Sequence, residues 1–208
     1  LDYLRGMRKL TEELDMVLIF DEVQSFRLAA GGAQEAFGVI PDMTTFGKII
    51  GGGMAVGAFG GRRDIMDQFD PTQPGAIAHA GTFNANPMTM LAGEVVMNHL
   101  TAEVFDSMNA LGEMLRQKLR AVFDELEVEA QVTGIGSMFG IHFTADEIVD
   151  YRDVVHSDHT MMKAVFTGLL NERVLLQTAC HGALSALTTE AEVDELVDAI
   201  RRVVQRVR

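Results

Sequence analysis

Residues 44–61 read TTFGKIIGGGMAVGAFGG: seven glycines, a single lysine and no acidic residue in the window. A lysine stands in water by default, and one drawn out of water must find a counter-charge or give up its own. The surrounding apolar run predicts that Lys48 sits in a buried glycine-rich turn. A lysine at a strand end that keeps its head in water is the plainer alternative.

Upstream, LIFDEVQ (18–24) closes an apolar run, MVLIF (16–20), on Asp21-Glu22. Such a run predicts a parallel strand buried on both faces, and its acidic end then lies at the carboxyl edge of a sheet, where open α/β folds collect ligands. The dipeptide alone allows three readings. It could hold Mg²⁺ and a water in a nucleotide hydrolase, pair with the pyridinium nitrogen of pyridoxal phosphate, or be a strand-end acid in water. Lys48 separates them. A phosphate loop needs Gly-Lys-Ser/Thr at the end of a run that begins with glycine, whereas Gly47-Lys48 is followed by Ile49-Ile50 and the glycines come after. An uncharged lysine nucleophile among apolar walls, with glycines that let backbone approach a flat ring, suits the order better.

Three stretches in sequence, LIFDEVQ, GGAQEAFGVIPDMTTFGKIIGGGMAVGAFGGRRDIM and HAGTFNANPMTMLAG, resemble class III pyridoxal-phosphate-dependent aminotransferases, most closely their glutamate-1-semialdehyde 2,1-aminomutase branch. The match is strong over residues 15–93 and looser beyond. The resemblance implies an α/β chain of fold type I, with residues 1–102 the C-terminal part of the cofactor-binding large domain and 103–208 the small C-terminal α/β domain. It implies pyridoxal 5'-phosphate carried on Lys48, which also moves the substrate proton, with Asp21 on the ring nitrogen. Val23 is then against a ring face, Gln24 near the phenolic oxygen, and Thr82 on the cofactor phosphate of a neighbouring subunit in a homodimer with shared sites. The implied reaction is amino-group transfer on a small amino substrate, as in tetrapyrrole precursor synthesis. A class III transaminase is the alternative. A silent subunit that keeps the fold for assembly and a nucleotide hydrolase using LIFDEV rank below. Two departures bear on substrate: Gln24-Ser25-Phe26-Arg27 replaces the branch's Met-Thr-Gly-Phe-Arg, and Phe83-Asn84-Ala85 replaces Leu-Ser-Gly.

The rest of the chain reads as alternating elements. Helices are expected over 1–14, 62–69, 87–100, 103–126, 159–172 and 190–207, with strands at 43–46, 55–60, EAQVTG, SMFGIHFT and VLLQ, and a glycine-rich loop at 26–38. Asn86-Pro87 is a helix start, and Thr189 with Glu192 forms a capping box. The division falls near 101–105. His156, His159 and the Cys180-His181 pair lack the second spaced pair of a zinc site.

Of 208 residues, 48% are apolar, and 30 acidic against 17 basic residues leave a net charge of −13, which argues against nucleic acid as a partner. The longest uncharged apolar stretch, 49–61, is too short and glycine-rich to span a bilayer. A lone cysteine, Cys180, permits no internal disulfide and fits a reducing, cytoplasmic setting. The chain opens on Leu1 in mid-helix pattern, which reads as a fragment lacking its N-terminal part.

Overall fold

The computed structural model describes residues 2–208, and the apolar position expected at Leu1 lies outside them. The chain divides into two compact units, one ending at Phe105 and the other spanning Asp106–Arg208. Among the described residues no helix is long and apolar enough to cross a membrane.

The first unit runs α1 (Asp2–Glu13), β1 (Ile19–Asp21), α2 (Gly32–Phe37), β2 (Met43–Gly47), β3 (Gly57–Gly61), α3 (Arg63–Met66) and α4 (Pro87–His99). β1 lies parallel to β2 in the register Ile19↔Met43 to Asp21↔Thr45, and β3 returns antiparallel, Gly47 facing Gly57. Pro87 opens α4, and the Asn86 carboxamide accepts the Met88 and Thr89 amides, as the sequence predicts.

Two expectations need correction here. Within this chain the strand of MVLIF is shorter than expected: the ladder covers Ile19–Asp21, and Met16, Val17 and Ile19 are at least half exposed in the residues described. β1 pairs with β2 in the three-stranded sheet of this chain, and the Leu18 amide leaves the ladder for the Asp42 carboxylate at 2.8 Å. Nor is 26–38 an irregular loop. It holds a 3₁₀ turn, Ser25–Leu28, and α2, whose first amides are met by a buried side chain described below.

The second unit contains α5 (Ala102–Glu125) from Asp106 onward, then β4 (Gln131–Thr133), β5 (Met138–His142), α6 (Tyr151–Val155), α7 (His159–Asn171), β6 (His181–Ala183) and α8 (Glu190–Val207). The strands form an antiparallel β4-β5-β6 sheet with the core on one face. Val132, Phe139 and Ile141 meet Leu115, Leu119 and Val122 of α5, Val165 and Leu169 of α7, and Ile200 and Val203 of α8. Burying each such aliphatic side chain contributes about 1.5–3 kcal/mol. Thr189 and Glu192 form the expected capping box of α8, and Asp158, between the two histidines, caps α7.

VLLQ (174–177) is not a strand. The Val174 amide closes the end of α7 on Leu169 O, and the Cys180 amide turns back to Gln177 O. The ladder position beside β5 therefore passes to His181–Ala183. The short helix α6 has no counterpart in the expected elements; Asp150 and Asp153 cap it reciprocally.

In the first unit Asp42 joins three segments. Its carboxylate accepts the Leu18 amide at 2.8 Å, Arg62 Nη1 at 2.9 Å and Arg8 Nη1 at 3.0 Å, tying α1, the entry to β1 and the exit of β3 together. The Leu18 amide first, then the two guanidinium groups, hold its carboxyl down to about 2 against the cost of its burial. The unfolded carboxyl titrates near 4. The folded chain therefore binds fewer protons, and this stabilisation is present above about pH 4 and lost as pH falls through about 2. Asp42→Asn should cost roughly 1–2 kcal/mol at pH 7, allowing for solvent screening at half-exposed Arg62, and should flatten stability between about pH 4 and 2. Urea unfolding followed by circular dichroism at pH 7 and pH 3 measures both effects.

Candidate active site

The carboxyl ends of β1 and β2 bring Asp21, Val23, Gln24, Thr45 and Lys48 together. Asp21 ends β1 opposite Thr45, and its Oδ1 accepts the Val23 amide at 3.0 Å and the Thr45 hydroxyl at 3.3 Å. Both hydrogen bonds fall on Oδ1, which leaves Oδ2 for an incoming donor. Val23 packs on the other strand end: a Cβ at Gly47 would lie 3.2 Å from Val23 Cγ1.

Lys48 begins the 3₁₀ turn Lys48–Gly51 that follows β2. The expectation of a buried lysine is corrected: Lys48 is exposed, and its Nζ donates to Gln24 Oε1 at 3.3 Å. The reason is that the turn projects from the sheet end, while the buried atoms of the segment belong to Gly47 and Gly51. Among the described residues its hydrogen-bond partner is thus a neutral amide and not a carboxylate. Lys48 also has φ +48°, a left-handed conformation that costs a non-glycine residue about 1–2 kcal/mol.

The glycines after Lys48 were expected to let backbone pass a flat ring. The structure gives Gly52 another task. It has φ +59°, and a Cβ there would lie 2.2 Å from Ala92 O, while a Cβ at Gly93 would lie 2.4 Å from Ile50 O. Helix α4 thus packs backbone to backbone on the lysine turn.

Thr82 lies exposed in the segment before α4, and among the described residues no hydrogen bond ties it to Asp21, Val23, Gln24, Thr45 or Lys48. Beside the cluster an open groove of about 1410 Å³ is walled by Phe46, Ile50, Val56, Phe59 and Met90. It shares Thr45 with the Asp21 group and includes none of Asp21, Gln24 and Lys48. Thr45 was missed from the sequence. Its period-two position on β2, opposite Asp21, was the available signal.

A primary amine and a carboxylate with one free oxygen, at the ends of adjacent parallel strands, suit a ligand carrying an aldehyde and a ring nitrogen that is held protonated. This arrangement belongs to an enzyme class: the chain is a member of the class-III aminotransferase family, whose model matches residues 1–204. The fold is part of fold type I of the pyridoxal phosphate enzymes. Among individual relatives, the glutamate-1-semialdehyde 2,1-aminomutase of Methanococcoides burtonii is 42% identical over 202 residues, covering 95% of this chain and 47% of that protein. An omega-transaminase from Sphaerobacter thermophilus is also 42% identical, with a TM-score of 0.96 over 100% of this chain and 48% of its own. A transaminase solved with PLP bound is 32% identical, with a TM-score of 0.89 over 99% of this chain and 48% of its own. The chain spans about half the length of the curated relatives it matches.

The tight contact beneath the lysine turn has a measurable consequence. Gly93→Ala must push α4 and the turn apart, because the atom in the way is a backbone carbonyl. It should destabilise the chain by about 1–3 kcal/mol, read from urea unfolding. Unchanged stability would mean that α4 does not rest on the turn.

Proposed function

We propose that the full-length protein is a pyridoxal 5'-phosphate enzyme that shifts an amino group within glutamate-1-semialdehyde. The observation that carries this reading is the pairing of Lys48 and Asp21 at the ends of adjacent parallel strands, in a chain of the class-III aminotransferase family. When bound, the cofactor supplies an electron sink. Lys48 would be its covalent anchor, and Lys48 Nζ, once free, would move the proton between the substrate carbon and the cofactor C4′. Asp21, with Oδ1 held by the Val23 amide and the Thr45 hydroxyl, would offer Oδ2 to the ring nitrogen. Val23 packs on a ring face, and Gln24 orients the Lys48 amine and lies near the phenolic oxygen. Residues 1–102 serve as part of the cofactor-binding domain and 103–208 as the small domain. The single cysteine, buried Cys180, is consistent with a cytoplasmic enzyme.

A class III transaminase is the second reading. It is favoured by the equal identity to the omega-transaminase and by the altered residues Gln24–Arg27 and Phe83–Ala85. One experiment separates the two. The full-length protein is first reduced with borohydride in the presence of PLP and digested, and the pyridoxyl group should appear on Lys48. It is then given glutamate-1-semialdehyde with no keto acid. Formation of 5-amino-4-oxopentanoate supports the aminomutase. Turnover that requires a separate amino donor and keto acceptor supports the transaminase, and no adduct on Lys48 overturns both.

We further propose a homodimer with shared sites, in which Thr82 reaches the cofactor phosphate of the partner subunit. Its exposed place, ahead of the Asn86-Pro87 helix start, suits its hydroxyl and amide to an anion. Mixed dimers of a Lys48→Ala subunit with a Thr82→Glu subunit should regain activity, because one site then carries both lesions and the other neither. If each chain builds its own site, mixing restores nothing.

A further inference from the structure

Glu22 follows Asp21 in the chain, but its side chain runs into the fold. It is fully buried. Its Oε2 accepts the Ala33 amide at 2.5 Å, and its Oε1 accepts the Gln34 amide at 3.1 Å and Gln34 Nε2 at 3.3 Å. Gln34 Nε2 in turn donates to Thr44 Oγ1 on β2 at 3.4 Å. Gly32 leaves room for the carboxylate: its φ is +79°, and a Cβ there would lie 2.3 Å from Oε2. A carboxylate is costly to bury unless its lone pairs are met. An apolar side chain would fill the space more cheaply, so space-filling alone does not account for a glutamate here.

The main chain of Glu22 is held as firmly. Its amide donates to Thr45 O at 2.9 Å, and its carbonyl accepts the Phe26 amide at 3.1 Å. The peptide joining Glu22 to Val23 supplies the N–H that holds Asp21 Oδ1, and Thr45, on which Glu22 is anchored, supplies the other donor. One hydrogen bond to the Asp21 carboxylate therefore comes from the peptide of Glu22 itself, and the other from the residue whose carbonyl holds the Glu22 amide.

We propose that Glu22 is a positioning residue: its buried carboxylate, seated on the amides of Ala33 and Gln34, fixes the turn that holds Asp21 Oδ1 and so presents Oδ2 to the cofactor's ring nitrogen. The inference rests on the functional reading above. It assigns Glu22 no contact with substrate or cofactor. Its effect passes through Asp21, on the protonation of the ring.

The test uses the full-length protein loaded with cofactor labelled with ¹⁵N at the ring, and the variants Glu22→Gln and Glu22→Asp beside Asp21→Asn. The first places an NH₂ where amide donors already point. The second keeps the charge but withdraws the carboxylate from α2 by one methylene. Both should still carry the cofactor on Lys48, while the ¹⁵N resonance moves toward the unprotonated position given by Asp21→Asn. In both, kcat should fall about tenfold or more while KM stays within about twofold. A merely structural role would lower the melting temperature and leave the resonance in place. A wild-type resonance with kcat within about twofold, in either variant that folds, overturns the inference. If Glu22→Gln does not fold, Glu22→Asp decides by the same readings. Absence of a Lys48 adduct in the unmodified protein overturns the functional reading itself, and that result comes before any Glu22 variant is made.

Discussion

Three steps of parallel ladder, Ile19↔Met43 through Asp21↔Thr45, set everything at the candidate site. Side chains alternate along a strand, so a slip of one residue would send Asp21 to the opposite face and replace Thr45 as its partner. With the register as it stands, one strand end carries the carboxylate, and the next passes through Gly47 into the lysine turn. Asp42, buried before β2, helps to hold that register by taking the Leu18 amide just ahead of the first ladder step. Glu22 holds it from the other end, through the Thr45 carbonyl and the amides of α2.

Much of this was legible in local sequence. Asn86-Pro87, and Thr189 with Glu192, name helix starts by the chemistry of unpaired amides, which depends on few neighbours. Asp21 and Lys48 stood out because charged residues at the ends of apolar runs need a reason. What stayed hidden depends on distant partners. The strand after α7 was placed on VLLQ by its apolar residues, yet Leu175 is largely exposed and the ladder goes to His181–Ala183, after a turn closed by Cys180. Residues 26–38 looked like loop because Gly31-Gly32 breaks the pattern. The second glycine is there because a glutamate ten residues earlier occupies the place of its Cβ. Lys48 was expected in apolar surroundings because its sequence neighbours are apolar, but in this chain Gly47 and Gly51 are the buried residues of the turn, while Ile49 and Ile50 are half-buried and the lysine is exposed.

The two carboxylates of Asp21-Glu22 show how adjacent residues of like chemistry divide their work. Alternation along the chain points one to the open sheet edge and the other into the fold. The outer one takes both its donors on a single oxygen, and the inner one spends its oxygens on the backbone of α2. A reader of the sequence sees a doubled acid; the structure sends one carboxylate to the sheet edge and the other into the fold.

The contact between α4 and the lysine turn has a mechanical side. At Gly52 and Gly93 the surfaces that meet are peptide groups, with no side chain between them to rotate out of the way. A side-chain interface absorbs small shifts by changing rotamers, whereas one made of backbone passes them on. The turn and the middle of α4 should therefore move as one body. Displacement of the helix at its Asn86 end, next to Thr82, would be felt at Lys48 as a change in the direction of its side chain. The residue with the strained left-handed backbone thus sits in a turn that is braced directly against a helix.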